Sequence, residues 1–250
     1  MRKFLKYLSQ DMSIKEKTMT TSKEFVAKIV ADNKALFEAS KMNVKAYFES
    51  NPDQEALVDH FIGRMVNERM NMVEIAQTIA NLPANTDPVE LQLLSKQAHD
   101  EAVHFRMVKE VIEHIKGEEI DVEAAIAAEA AKPTAKGAGL LAKYEAESDP
   151  AALAAYQLVA EGRAEAVWNQ MAECIEDEFI ASRYAKIAKD EGFHSKIGAR
   201  KLEELATDEA TQSRIAALVA EMRKDLFDIS CKNTMEVPAA KALVNEAYGW

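Results

Sequence analysis

Residues 100–104 read Asp-Glu-Ala-Val-His, and residues 190–194 read Asp-Glu-Gly-Phe-His. In both strings a Glu precedes a His by three positions. On a helix this spacing places the two side chains on one face about one turn apart, so both can bind the same ion inside a bundle. A single Glu-x-x-His is a weak signal, but two matches that each follow an aspartate are much less accidental. The pair therefore indicates two helices that carry metal ligands.

The composition favours an all-α fold. The 250-residue chain is 48% hydrophobic, which is enough to fill a core, and contains only eight glycines and six prolines. Alanine, glutamate, lysine and leucine are plentiful, as is typical of helices. The net charge of -11 argues against general nucleic-acid binding, because such a chain repels phosphate backbones. No run of apolar residues approaches the ~20 residues that a membrane span requires, so we expect no membrane-spanning helix.

The cysteines and the N-terminus bear on location. Cys174 and Cys231 are far apart in the sequence, and no other cysteine could complete a zinc ribbon or a disulfide framework. The first residues break their apolar pattern too early for a signal peptide. We therefore expect a cytoplasmic protein.

Capping residues predict the helix boundaries. Ser, Thr, Asp or Asn followed by Glu or Pro marks a helix start, and Gly or Pro marks an end. The predicted helices run from the Thr21–Glu24 capping box to Asn51, from an Asn51 cap with Pro52 at the first helical position to Leu82, from Asp87 to Gly117, from Asp149 to the residues before Asp177, from Asp177 to about Ala206, from Asp208 to about Ser230, and from Pro238 onward.

This order gives four long helices in two antiparallel hairpins, with additional helices at both ends. The stretch around Lys132–Gly139 is interpreted as a crossover between the two halves. We assign residues 1–21 to an N-terminal amphipathic segment, 22–230 to a helical domain whose metal-binding part is about 52–206, and 231–250 to a C-terminal tail.

The hairpin geometry selects two further carboxylates. Two residues at the same height in an antiparallel hairpin are equidistant from its turn. Glu68 and Glu101 are equidistant from the loop after Leu82, and Glu161 and Glu191 are equidistant from residue 176. Glu74 fits slightly worse than Glu68. Glu165 lies one turn beyond Glu161 and is an alternative or additional ligand. The six candidate ligands are Glu68, Glu101, His104, Glu161, Glu191 and His194.

Other residues near these positions have less specific interpretations. Tyr184 and Trp168 each lie seven residues from a candidate ligand on the same helix face. Either residue is a candidate for bordering the site or carrying an electron, but packing in the core is the commoner explanation for such residues. The small residues Ala98, Ala188 and Gly198 leave room for an organic substrate. The remaining histidines lack a carboxylate three residues before them, and surface or capping roles are expected for His60, His99 and His114.

One Glu from each of two helices, plus Glu-x-x-His from each of two others, resembles the ligand set of the ferritin-like dimetal-carboxylate proteins. The resemblance covers about residues 52–206. It implies a ferritin-like four-helix bundle with additional N- and C-terminal helices, holding two iron ions, or manganese.

The resemblance also implies the role of each residue. Glu101 and Glu191 would bridge the metals at the catalytic centre, and each histidine would bind one metal. Glu68 and Glu161 would be terminal or semi-bridging ligands. Asp100 would hydrogen-bond His194, and Asp190 would hydrogen-bond His104, so that each aspartate orients an imidazole.

Oxygen chemistry is the function that the resemblance implies. We expect a non-haem diiron oxygenase or oxidase that uses O2 to oxidise a small organic substrate in the bundle core. It would need an external electron donor such as a reductase or ferredoxin, and we expect a homodimer. The alternatives are a ferritin-like or manganese-catalase-like protein for metal storage or peroxide scavenging, and a metal-free structural subunit. Val108 occupies the place of the radical tyrosine of ribonucleotide reductases, which argues against a stable radical of that kind.

Overall fold

The computed structural model describes residues 20–132, 139–146 and 148–250, and within these ranges the chain is helical without strands. The predicted all-α class is thereby confirmed. The helices are α1 (Ser22–Asp32), α2 (Lys34–Glu49), α3 (Gln54–Asn81), α4 (Pro88–Lys116), α5 (Val122–Ala131), α6 (Gly139–Lys143), α7 (Pro150–Tyr156), a π-helical turn (Gln157–Glu161), α8 (Gly162–Cys174), α9 (Glu178–Leu205), α10 (Glu209–Asn233) and α11 (Pro238–Tyr248).

Two of the predicted segments lie wholly or mostly outside these ranges, whereas the expectation that no helix spans a membrane can be compared with the described helices. The N-terminal amphipathic segment lies outside the described residues except for Thr20 and Thr21, and most of the predicted crossover lies outside them too. None of the helices in the described ranges combines the length and apolar character needed to cross a bilayer.

Side-chain oxygens cap most of the long helices at their N-termini. Thr21 and Glu24 form the predicted reciprocal capping box. Each such cap satisfies a backbone N–H that has no partner within its helix, and replacing one by alanine typically costs about 0.5–2 kcal/mol. Aspartate caps are formed by Asp53, Asp87, Asp121, Asp149, Asp177 and Asp208.

Two predicted boundaries are wrong. Asn51 is not a cap: it has a φ of 52°, and Asp53 instead accepts a 2.9 Å hydrogen bond from Ala56 N. The first long helix is also interrupted, because α1 ends and α2 begins on either side of Asn33. Asn33 is buried, and its Oδ1 accepts a 2.7 Å hydrogen bond from Arg223 Nε. A buried guanidinium requires such acceptors, and sequence periodicity does not reveal this long-range pairing.

Two helix hairpins form the centre of the molecule. α3 and α4 pack along each other and are joined by residues 82–87, and α8 packs on α9 across residues 175–177. α4 also contacts α9, which brings the two hairpins together. α2 lies against α8, and α11 lies against α2.

The terminal helices are fastened by specific hydrogen bonds. Tyr248 Oη donates to Asp32 O at 2.6 Å and accepts from Leu36 N at 3.1 Å, at the junction of α1 and α2. Ser22 Oγ donates to Ala206 O at 2.9 Å. The residues assigned to a C-terminal tail therefore include the last turn of α10 and a helix that packs on the core.

The buried apolar residues form two clusters at opposite ends of the hairpins. One contains Ile75, Leu94 and Leu202. The other contains Phe61, Val108, Trp168 and Tyr184. Along each central helix the candidate metal ligands fall between these two clusters, so the polar residues form a layer enclosed by apolar packing.

Gly198 brings α9 into close contact with the chain around the π-helical turn. A Cβ at this position would lie 2.5 Å from Ala154 O and 2.6 Å from Leu158 N. Backbone atoms therefore fill the space beside Gly198, and the expectation that it leaves room for a substrate is wrong.

Substituting two helical glycines should have opposite effects on stability. Gly198→Ala forces backbone atoms apart and should cost roughly 1–3 kcal/mol. Gly63→Ala should raise the free energy of unfolding by about 0.5–1 kcal/mol, because alanine restricts the unfolded chain and favours helix. The nearest atom to a Cβ at Gly63 is Glu129 Oε1 at 3.7 Å, an ordinary contact. Denaturant unfolding of both variants measures the difference, and a Gly198→Ala variant as stable as the native protein would contradict the close approach.

Candidate metal centre

The structure brings all six candidate ligands together in the interior. Each of these residues is at most 3% exposed. Glu68 comes from α3, Glu101 and His104 from α4, Glu161 from the π-helical turn, and Glu191 and His194 from α9. We refer to these six residues as the carboxylate–histidine cluster.

The cluster consists of two overlapping groups, in each of which four ligand atoms lie within 4.8 Å of one another. Each group has the composition and compactness of a metal-binding site. Glu101 and Glu191 belong to both groups. One group is Glu68, Glu101, His104 and Glu191, and the other is Glu101, Glu161, Glu191 and His194.

The two shared carboxylates each present one oxygen to each histidine. Glu101 Oε2 lies 3.7 Å from His104 Nδ1, and its Oε1 lies 3.4 Å from His194 Nδ1. Glu191 Oε1 lies 3.6 Å from His104 Nδ1, and its Oε2 lies 3.0 Å from His194 Nδ1. Both carboxylates therefore span the space between the two imidazoles.

Two aspartates orient the imidazoles from the far side. His104 Nε2 lies 3.2 Å from Asp190 Oδ2, and His194 Nε2 lies 3.1 Å from Asp100 Oδ2. This is the crossed pairing expected from the sequence. Since an ionised carboxylate can only accept, each Nε2–H donates and each Nδ1 faces the cluster. Asp100 also pairs with Lys96, and Asp190 with Lys186.

Glu68 and Glu161 are the carboxylates unique to each group. Glu68 Oε2 lies 3.5 Å from His104 Nδ1. Glu161 Oε1 accepts a 3.4 Å hydrogen bond from Gln97 Nε2. Glu165 belongs to neither group: its carboxylate lies beside Gly192, where a Cβ would be 2.4 Å from its Oε1.

Several buried atoms of the cluster have no hydrogen-bond partner within the described part of the chain. They are Glu68 Oε2, both carboxylate oxygens of Glu101, and His104 Nδ1. Leaving such atoms unpaired in the interior is costly. All of them face the centre of the cluster, so a cation at that position would satisfy them.

The crowding of carboxylates changes their protonation. Burial and the negative charge of Glu191 raise the pKa of Glu101 to about 8. Burial and the charge of Glu191 also raise the pKa of Glu161 well above its ordinary value. Burial alone would lower the pKa of His194, but hydrogen bonds to Asp100 and Glu191 raise it to about 9. In the metal-free protein, protons bound to Glu101, Glu161 and His194 therefore reduce the net negative charge of the cluster.

The sequence did not reveal two features around Glu161. One is the π-helical turn that carries it, since nothing in residues 157–161 distinguishes them from α-helix. Such turns frequently occur at functional sites. The other is a buried amide pair: Gln157 Nε2 donates to Gln97 Oε1 at 2.7 Å. A signal existed, because each glutamine precedes a candidate ligand by four residues, Gln97 before Glu101 and Gln157 before Glu161.

Tyr184 and Trp168 belong to the apolar cluster that contains Phe61 and Val108. Their ring centroids are 5.8 Å apart, and both side chains are buried. Burial and the nearby charge of Glu68 raise the pKa of Tyr184 well above its ordinary value. Neither Tyr184 Oη nor Trp168 Nε1 has a hydrogen-bond partner among the residues that the structure describes.

The other three histidines lie outside the cluster. His60 Nδ1 lies 3.2 Å from Asn233 O, and His114 Nε2 lies 2.7 Å from Asp177 Oδ2. His99 is exposed.

Comparison with models of known families, with curated proteins and with solved structures found no match for this chain. The functional assignment therefore depends on the geometry of the carboxylate–histidine cluster.

The metal-free protein should lose stability as the pH rises. The pKa of Glu101 is about 8 in the folded protein against an ordinary value of 4.5, and that of His194 is about 9 against 6.5. Between the ordinary and the raised pKa of each group, that is from 4.5 to about 8 for Glu101 and from 6.5 to about 9 for His194, the folded state binds more protons than the unfolded state. The free energy of unfolding therefore falls as the pH increases through this range. Glu101→Gln should make this dependence shallower and stabilise the metal-free protein at pH 9.

Denaturant unfolding at pH 6 and pH 9 with a chelator measures the effect. The control is Glu165→Gln, which lies outside the cluster and should keep the native pH dependence. A Glu101→Gln variant with an unchanged dependence would show that the carboxylates do not interact as the geometry indicates.

Proposed function

We propose that this chain is a ferritin-like dimetal-carboxylate protein and functions as a non-haem diiron oxygenase or oxidase acting on a small organic substrate. The observation that carries the proposal is the pair of overlapping ligand groups, which share Glu101 and Glu191. Two isolated metal sites would not need shared carboxylates that present one oxygen to each imidazole.

The residues present fit a pair of divalent cations. Four carboxylates with two neutral imidazoles carry four negative charges, which two such ions would neutralise. Carboxylate and imidazole together suit iron or manganese, whereas zinc and copper sites commonly include cysteine or a larger share of histidine. Glu68 and His104 would hold one ion, Glu161 and His194 the other, and Glu101 and Glu191 would bridge them.

When bound, two Fe(II) ions would supply electrons for the reduction of dioxygen. The chain's own residues have three tasks. The crossed aspartates hold each imidazole with Nδ1 towards the ions. The two apolar clusters exclude bulk water, which strengthens the electrostatic interactions inside. The carboxylates give the ions a neutral overall environment. An external electron donor, such as a ferredoxin or a reductase, would return the site to its reduced form.

Metal analysis should find two Fe(II) or Mn(II) ions per chain after anaerobic loading and removal of free metal. Glu101→Gln should weaken both sites, by about 10–100-fold, because this residue contributes to both groups. Glu68→Gln should weaken mainly one site. Glu165→Gln serves as the matched control on α8 and should retain two ions. A stoichiometry well below two in the native protein would instead favour the metal-free structural subunit.

The reaction of the Fe(II)-loaded protein with oxygen separates the oxygenase from the scavenger. We expect rapid O2 consumption and a transient visible absorption whose decay is accelerated by substrate. The measurement is stopped-flow absorption with a panel of small organic molecules. An absorption whose decay no compound changes, together with fast disproportionation of hydrogen peroxide by the manganese-loaded protein, would favour the storage or scavenging alternative.

A further inference from the structure

A cavity of about 540 Å³ lies at the end of the two hairpins, between the 82–87 turn, the start of α7 and the end of α9. Its size is in the range of ordinary small-molecule pockets. Leu94, Leu153, Ala154 and Ile197 line its interior. The cavity is therefore mainly apolar on the inside.

The inner end of the cavity lies close to the carboxylate–histidine cluster. Ile197 follows His194 by three residues, about 4.5 Å along the helix axis. Gln157 also lines the cavity and precedes Glu161 by about one turn. Glu90, near the opening, precedes Glu101 by eleven residues, or roughly 16 Å. The cavity thus extends from the end of the bundle to within about one helical turn of two candidate ligands.

The charged side chains that line the cavity are already paired. Lys201 Nζ lies 2.8 Å from Glu90 Oε2 and 3.7 Å from Glu204 Oε2. Arg200 Nε donates to Glu204 Oε1 at 3.2 Å. Asp87 Oδ1 accepts from Val89 N at 2.7 Å. Because these opposite charges offset one another, the lining carries no large excess charge of either sign, which favours an uncharged ligand over a charged one.

Gln157 brings an amide side chain to the inner end of the cavity. Its Nε2 donates to Gln97 Oε1, and Gln97 Nε2 in turn donates to Glu161 Oε1. The residue is only 2% exposed, and its hydrogen bond to Gln97 uses Nε2 rather than the acceptor Oε1. An acceptor in this position can receive a hydrogen bond from a ligand in the cavity.

We propose that this cavity binds the substrate of the oxygenase, and that the substrate is an uncharged, largely apolar molecule with one hydrogen-bond donor that Gln157 Oε1 accepts. The proposal rests on the proposed function, since it names the substrate class for that reaction. Gln157 would act as a binding residue that positions the donor end of the molecule one turn from Glu161.

Binding can be measured on the full metal-free chain. The probe is 1-aminoanthracene, an uncharged aromatic amine whose fluorescence rises in apolar surroundings. The competitors are 1-octanol, 1-methoxyoctane, octanoate and octylammonium, which differ only in the end group. We expect 1-octanol to displace the probe best, about fivefold better than the ether that lacks a donor. We expect both charged compounds to be at least about tenfold weaker.

Two variants locate the binding site. Leu93→Trp should fill part of the cavity and weaken probe binding by about tenfold or more. The matched control is Leu91→Trp on the same helix, where the native side chain is 41% exposed and does not line the cavity. It should bind the probe like the native protein. Gln157→Leu should still bind the probe but lose the preference for 1-octanol over 1-methoxyoctane.

Three results would overturn the proposal: no probe binding by the native protein, equal binding by the Leu93→Trp and Leu91→Trp variants, or stronger competition by octanoate or octylammonium than by 1-octanol. Unchanged alcohol preference in the Gln157→Leu variant would remove the role assigned to Gln157. The probe assay needs no metal, so it fails separately from the metal analysis. If the probe binds at the cavity but the protein holds no metal, the cavity is a ligand-binding site and the proposed oxygenase function is wrong.

Discussion

Four carboxylates buried within reach of one another impose the constraint on which this fold depends. Their mutual repulsion in a medium of low dielectric constant must be offset by positive charge, from protons in the metal-free protein or from metal ions when these bind. The raised pKa values of Glu101 and Glu161 reflect this need. The apolar clusters on either side keep solvent from screening the charges. A site of this kind is unfavourable for an empty protein and favourable for one that holds cations.

The two hairpins are joined by the same residues that shape the site. Each imidazole contacts an aspartate from the opposite hairpin, His104 with Asp190 and His194 with Asp100. These contacts connect α4 and α9 at one height. The close approach at Gly198 brings α9 against the chain before Glu161 in a similar way. The positions of the ligands and the packing of the helices are therefore not independent, and a change that separates α4 from α9 should disturb both.

Much of the fold and of the cluster could be predicted because the signals are local. Aspartate caps at Asp87, Asp149 and Asp177 mark helix starts within a few residues, and the i, i+3 spacing of Glu and His needs no knowledge of the tertiary structure. The break at Asn33 could not be predicted, since it depends on Arg223, which is distant in the sequence. The sequence left Glu161 and Glu165 open as alternatives. Only the π-helical turn and the packing against Gly192 place Glu161 in the cluster and Glu165 outside it.

The ion pairs behind the aspartates have a further consequence. Lys96 and Lys186 are about half exposed, each contacts an aspartate, and each aspartate contacts an imidazole of the cluster. Two short relays of polar atoms thus lead from opposite hairpins to bulk water. The buried imidazoles are therefore linked through the aspartates to lysine side chains at the protein surface, although apolar residues enclose the cluster on two sides.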